Sequence, residues 1–394
     1  MTYRETLQHP VVARLSLIQL ISYFGTWFSQ VAIFSMLVAL HADALTISVT
    51  AMVSMLPAVI LSPLTGSLID RVDFKKLMFS LLLIEIAMTL GFILIDSLSY
   101  IGILLLLIFI RSAASSMLFS AEMALFPRIL EGEMLKNTNE IHSIIWSLCY
   151  ALGMAAGGIA TYYWGYDSSF LIDAALYGVA VLLLWGLKIR PREITHTDTI
   201  VKMLKDGLTY ILGHKKIMHL ILIHSSIGLT SFDALITLLA DYQYKELIAV
   251  PLAIGLMNAV RAIGLMIGPF VIGKIISTRN LHWFFLLQGT AIIGWGLLES
   301  DFYWGFLGLF VTGFFITTLW SYTYLLVQQE TDPHYMGRVI SYNDMIFMLS
   351  NATTALFIGV AYQWGLTLSA ITLLLGSGFL LFALYYRWFQ ERYL

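Results

Sequence analysis

Six ionisable residues stand inside or at the edge of long apolar runs in this 394-residue chain: Glu85, Arg111, Asp173, Asp233, Arg261 and Asp344. A charge in hydrocarbon is costly and survives only against a partner, a cavity or water, so these residues are the first candidates for chemistry. Asp233 and Arg261 fall on consecutive runs. Asp233 sits seven residues, or roughly 10 Å, from the end of its run. Arg261 sits somewhat deeper from the same surface, with Asn258 one helical turn away. The two can pair across neighbouring helices. A carboxylate beside a guanidinium stays ionised, whereas one left alone in an apolar cavity takes up a proton. A group that alternates between these conditions can carry protons. His224, on the same run as Asp233, is either a second proton-exchanging group, since imidazole titrates near neutrality, or a histidine satisfied by helix packing. Glu122 and Asp344 lie near run ends and read as structural or gate carboxylates, and Asp173 reads as helix packing.

The elements that must position these groups follow from composition. Hydrophobic residues make up 59% of the chain and charged residues only 12%, against about 25% charged in soluble domains. The mean hydropathy is +0.83. A soluble enzyme, a nucleic-acid binder and a disordered scaffold are excluded, and the continuous apolar runs argue against an outer-membrane barrel. What remains is an all-α polytopic membrane protein. Runs of about 20 apolar residues fall near 11–40, 44–69, 76–95, 99–121, 140–163, 168–188, 216–240, 249–273, 280–298, 302–327, 339–362 and 367–387, which is twelve spans in two groups of six. The first run is longer than a bilayer needs, so it tilts or projects. It is also too long for a signal peptide and lacks a small-residue cleavage site. With the N-terminus in the cytoplasm, nineteen of the 22 basic residues lie on the cytoplasmic side, only Lys245 lies outside, and Arg111 and Arg261 lie within spans. This asymmetry is the positive-inside pattern and places both termini in the cytoplasm.

The sequence divides into an N-terminal bundle at 1–188, a linker at 189–215 and a C-terminal bundle at 216–394. Within the linker, Ile200, Met203, Leu204, Leu208 and Ile211 have helical spacing, so 198–213 reads as an amphipathic helix along the inner membrane face. The halves repeat weakly. Tyr163-Trp164-Gly165 and Gln363-Trp364-Gly365 are offset by 200 residues, and Ser62-Pro63 matches Gly268-Pro269. Duplicated halves are the basis of many secondary transporters, with the substrate site between them near mid-membrane. The lone Cys149 excludes an internal disulfide. The run Gly268 to Lys274 matches most of a phosphate-binding loop, but Ile275 follows where Ser or Thr is needed and no strand precedes it. No zinc-site or nucleophile-elbow pattern is present. The sequence therefore implies no enzyme, no cofactor, no metal and no nucleic acid.

The inner loop Gly66-Ser67-Leu68-Ile69-Asp70-Arg71-Val72-Asp73-Phe74-Lys75-Lys76 resembles the loop motif of the major facilitator superfamily. It departs from that motif at Asp73-Phe74, where glycine and arginine are usual. The resemblance implies the twelve-helix, two-bundle, pseudo-symmetric fold of that family. It also implies that Gly66, Asp70, Arg71 and Lys75 act as a conformational latch. Gly153-Met154-Ala155-Ala156-Gly157-Gly158 resembles the family's antiporter motif, with Met154 in place of proline; on residue type alone, Gly153, Gly157 and Gly158 are also helix-packing glycines. The segments Gln328 to Pro333 with Gly337-Arg338-Val339, Phe126 to Asn139 and Phe170 to Asp173 resemble a bacterial branch of macrolide and siderophore exporters. By this resemblance spans one, four, seven and ten line the cavity. Arg111 then has a cavity or proton-coupling role, or else forms a structural pair with Glu85. Tyr23, Trp27 and Gln30 line the cavity from span one, and Tyr322 and Gln328 from span ten, unless they are interfacial anchors. The expected function is proton-coupled export of an amphipathic small molecule across a bacterial inner membrane, by a monomer working through alternating access. A lysophospholipid flippase and a non-transporting sensor on the same fold are the alternatives.

Overall fold

A computed structural model describes residues 2–69, 72–187 and 200–394, with side chains for all of these except 63–69, 200, 201 and 203. A short helix α1 (Tyr3–Leu7) leads into α2 (Pro10–Ala39), α3 (Ala44–Ile69), α4 (Phe74–Phe92), α5 (Ile101–Ile129) and α6 (Gly132–Trp185). These pack on one another, α2 and α4 lying along α6, and α3 along α5. A linker helix α7 (Ile200–Gly213) precedes α8 (Lys215–Ser225), α9 (Asp233–Tyr242), α10 (Val250–Ile272), α11 (Leu281–Leu298), α12 (Phe302–Glu330), α13 (Met336–Gln363) and α14 (Leu368–Tyr393). Here α10 and α11 pack on α12, α11 on α14, and α8 on α12 and α13.

Ten helical segments among the described residues are long and apolar enough to cross a membrane. The 54-residue α6 counts once among them, but Gly165, with φ of 80°, breaks it into two arms. The 19-residue α4 is apolar apart from Lys75, Lys76 and Glu85, and those three charges set it apart from the other long helices. The described helices thus give ten spans where the sequence led to an expected twelve; the difference lies at α6, which Gly165 divides, and at α4. The repeat found in the sequence has a conformational reason at this point. Gly165 and Gly365, the matched third residues of the two Trp-Gly motifs, both adopt left-handed φ, 80° and 88°, which L side chains disfavour.

The seventh span departs from a continuous helix. Between α8 and α9 lies a 3₁₀ segment, Ser226–Thr230, followed by non-helical Ser231. Ser225, Ser226 and Thr230 turn their hydroxyls back to the carbonyls of Leu222, Ile223 and Ile227 at 2.6–2.9 Å, which competes with the helical ladder. Gly228 lets the segment press against Ser350 and Asn351 of α13, where a Cβ would come within 2.5–2.7 Å of three atoms. Irregular backbone at membrane depth persists only when buried in protein, and residues 230–232 are buried.

The halves meet along two seams at the end away from the basic loops. A Cβ on Gly158 of α6 would lie 2.6 Å from the Pro251 carbonyl and 3.1 Å from the Gly255 Cα of α10. Gly359 of α13 likewise closes on Ser48 and Ala44 of α3. Helix α9 is inserted between α3, α10 and α13, with Ala234 through Ala240 fully buried. Asp43 caps α3 by accepting from the Thr46 amide at 2.8 Å and reaches Gln363 of α13 at 3.5 Å. At the basic end, Ser62 of α3 donates to the Ser341 carbonyl at 3.1 Å. There α7 lies on α13, with the Tyr342 hydroxyl donating to the Leu204 carbonyl at 3.0 Å.

Gly158→Val should destabilise the far-end seam by about 1–3 kcal/mol through overpacking. Gly178→Val, which meets nothing within 4 Å, should be silent, and thermal unfolding in detergent reads both. Hydrogen bonds from Thr46 hold the Asp43 carboxyl below the ordinary carboxylate range. Its contribution is therefore present at neutral pH and lost as pH falls through the lowered value. Asp43→Asn should reduce the acid-side fall of the unfolding midpoint and leave the neutral-pH slope unchanged.

Candidate functional site

In the N-terminal half two of the buried charges, Arg111 and Asp173, are tied to one another. Arg111 of α5 is 5% exposed. Its Nη2 donates to Asp173 Oδ2 at 2.8 Å and to Ser29 Oγ at 2.6 Å, joining α5 to the second arm of α6 and to α2. Phe92 and Tyr177 flank the guanidinium at 5.8 and 6.0 Å. Gly25 of α2 leaves the room that Asp173 occupies. The partner of Arg111 is thus Asp173. Glu85 of α4 points toward Arg111 and Tyr177, with neither oxygen in hydrogen-bonding geometry. Tyr23, expected on the cavity wall, instead donates to Glu122 Oε2 at 2.6 Å inside the same half.

A different cluster forms where the halves meet. Arg261 of α10 sends Nη2 to the Thr230 carbonyl at 2.7 Å and Nη1 to the Tyr150 hydroxyl at 3.4 Å. The Thr230 carbonyl is available because span seven breaks there. Tyr150 of α6 donates to Asn258 Oδ1 at 3.3 Å, so Tyr150, Asn258 and Arg261 hold the two halves together through polar contacts. The Phe232 ring lies 5.0 Å from the guanidinium carbon. Asp233 begins α9 half-buried, within electrostatic reach of Arg261 but not ion-paired with it; the guanidinium is engaged by Thr230 and Tyr150. Trp27 of α2 meets Tyr150 at 4.6 Å and Trp146 at 5.8 Å between ring centroids, and Trp146 is 38% exposed. Gly153 and Gly157 pack on the α2 backbone at Phe24 and Phe28, which sets Trp27 against Tyr150. Gln30 lies half-buried further along α2.

His224 is held within the C-terminal half, with Nδ1 2.8 Å from Thr323 Oγ1 and its ring 5.3–5.8 Å from Trp320, Tyr324 and Phe347. Tyr322 is half-buried and Gln328 exposed. Of the loop motif, Asp70 and Arg71 lie outside the described residues, and Gly66 is described by its helical backbone in α3 alone. Lys75 donates to the Trp185 carbonyl at 2.6 Å. The two residues that depart from the family pattern have local roles: Asp73 caps α4 through the Lys76 amide at 2.9 Å, and buried Phe74 lies 4.8 Å under Arg128. Sequence reasoning passed over Trp146 and Tyr150. Their signal is an aromatic pair four residues apart, on one helix face, leading into the glycine-rich stretch.

Comparison with known proteins gives these positions a setting. The model of the Major Facilitator Superfamily matches residues 15–355. An MFS-type transporter, YfiS, of Bacillus subtilis is 27% identical over 376 residues, covering 88% of this chain and 85% of the relative. Macrolide efflux protein A of Streptococcus pyogenes is 22% identical over 350 residues, with 84% of each chain covered. Among solved structures, the nucleoside transporter NupG superposes with a TM-score of 0.78 over 98% of this chain and 100% of that one, at 14% identity, a likeness of fold.

Removing one member of the buried Arg111–Asp173 pair leaves the other uncompensated. Arg111→Gln or Asp173→Asn alone should each cost about 3–5 kcal/mol. The double variant should recover part of this loss in thermal unfolding of the detergent-solubilised protein.

Proposed function

The chain belongs to the major facilitator superfamily, and from that premise we propose that it is a proton-coupled exporter of an amphipathic small molecule. It is a multi-pass membrane protein and a transporter by family, with an efflux protein among its relatives. The proposal adds direction, coupling and cargo. The bundles at 1–188 and 216–394, joined by the linker, rock about the seam between them in a bacterial inner membrane, as a monomer with both termini in the cytoplasm.

The observation that carries this reading is the cluster of Arg261, Asn258 and Tyr150 beside Trp27 and Trp146. It combines flat apolar surfaces with a few placed polar groups, the composition of a small-molecule site, and it lies where the halves meet. Moving one bundle against the other must break the Tyr150 contacts, so this site senses the conformation directly. Asp233 is the proton carrier in this scheme. Paired with Arg261 it stays ionised, and separated from it in an apolar setting it takes a proton. Arg111 acts as a positioning residue that keeps α2, α5 and α6 rigid. Gly66, Asp70, Arg71 and Lys75 latch one conformation, and Gly153, Gly157 and Gly158 allow the close helix approach on which the seam depends.

Proteoliposomes holding the purified full chain, with an imposed pH gradient and a panel of macrolides, test the proposal. Gradient-dependent macrolide movement coupled to counter-flow of protons is expected. Asp233→Asn should abolish the gradient dependence, and full retention of it would remove Asp233 from the role. Tyr150→Phe, which deletes hydrogen bonds of about 1 kcal/mol each, should lower transport roughly two- to tenfold.

A further inference from the structure

The N-terminal half contains a second group of polar side chains that neither the seam nor the Arg111 tie uses. Glu122 of α5 is fully buried. One carboxylate oxygen accepts from the Tyr23 hydroxyl at 2.6 Å, and the other has no partner. His142 of α6 is 5% exposed with both ring nitrogens unpartnered. Its ring stands edge-on to Tyr23 at 5.6 Å and lies 5.3 Å from Phe119. Gln19 of α2 is fully buried with its amide close to the Glu122 carboxyl. An acid and an imidazole thus lie in one apolar enclosure with hydrogen-bonding capacity left unused.

We propose that Glu122 and Tyr23 form a proton-binding site in the N-terminal half, with His142 in its wall, separate from the Asp233–Arg261 site of the other half. The charge balance requires it. The groups facing Glu122 are Tyr23 and Gln19 from α2 and, more distantly, Glu85 from α4, while His142 of α6 packs against the Tyr23 ring. None is a permanent cation, and the guanidinium buried in this half among the described residues, that of Arg111, is bonded to Asp173. An ionised carboxylate buried without a counter-charge costs several kcal/mol, and such a group neutralises instead. Glu122 therefore holds the proton while the enclosure is dry. It releases the proton to solvent as hydronium when water enters, and the hydroxyl of Tyr23, already donating to Oε2, stabilises the carboxylate left behind. His142, enclosed by Tyr23, Phe119 and Phe126, supplies an uncharged polar edge to the enclosure. Phe119, 39% exposed and on the same helix as Glu122, packs on Tyr23 and His142, so this wall of the enclosure reaches the protein surface. Proton binding here stands apart from the export reading, whereas its use in transport rests on that reading.

Infrared difference spectra of the detergent-solubilised full chain, taken between acid and alkaline pH, test the binding. A titrating carboxylic-acid C=O band is expected. Glu122→Gln should remove it, Glu122→Asp and Tyr23→Phe should shift it, and Asp233→Asn should leave it in place. Glu122→Gln should fold, because a neutral amide still accepts from Tyr23. The absence of a Glu122-dependent band, or a band that never titrates, would overturn the site. Transport is then read in proteoliposomes with erythromycin as the probe. If the wild-type protein shows gradient-driven movement, Glu122→Gln should lose it and Glu122→Asp should restore part of it. Wild-type dependence retained in full by Glu122→Gln overturns the coupling role of the site alone. No gradient dependence in the wild-type protein overturns the export reading and leaves the infrared result to decide whether the proton site exists.

Discussion

The contact between the Arg261 guanidinium and the Thr230 carbonyl answers two costs that the membrane imposes. A helix interrupted at membrane depth leaves carbonyls without partners, and a guanidinium at that depth needs acceptors. The serine- and threonine-rich stretch 225–231 breaks span seven, and Arg261 takes the carbonyl that the break exposes. The same side chain reaches Tyr150 across the seam, so the local repair and the contact between the halves share one residue. The proposed site is organised around that economy. Its aromatic wall, its asparagine and the start of α9 at Asp233 are all arranged relative to the guanidinium.

The two halves treat their buried charges differently. In the N-terminal half Arg111 is bonded to Asp173 and Ser29 and enclosed by Phe92 and Tyr177, an arrangement that ties helices of one bundle together. Breaking a pair of this kind leaves a bare charge and is costly, so it suits a rigid body. Arg261 is bonded to a neutral carbonyl and a neutral hydroxyl and has no carboxylate in contact. Exchanging such partners costs less, which suits a residue at a surface that must open. The glycines complete the contrast. Gly153 and Gly157 seat α6 on α2 within one half, while Gly158 seats the same helix on α10 of the other. One glycine-rich turn therefore serves both the rigid body and the moving seam.

How much of this could be read beforehand varies from residue to residue. The apolar runs and the breaks between them were legible, because a helix that satisfies its own hydrogen bonds in lipid leaves a length and a hydropathy in the sequence. The paired Trp-Gly motifs were legible as a repeat, although their shared left-handed backbone was not. Asp73 looked like a departure from a family loop and is a helix cap. The interruption of span seven escaped notice because its residues are apolar or small enough to read as continuous helix. Tyr23 and Trp27, one helical turn apart on α2, looked like neighbours on one cavity wall. They are divided between an internal carboxylate and the seam.

Composition and charge placement by themselves determined that this chain is a polytopic helical membrane protein, with its basic residues at one end and a few charges left inside. Those properties follow from transfer free energies, which add residue by residue along the chain. Which buried charge meets which partner was decided only by the tertiary structure. In a helix bundle the partner of a side chain comes from another helix, often a hundred residues away, and the rotation of each helix is set by glycine contacts and breaks whose energies depend on the packed geometry. Arg111, for which Glu85 was the expected pairing partner, met Asp173. Arg261 had Asp233 nearby and took a backbone carbonyl that exists as a free acceptor only because the neighbouring helix is broken.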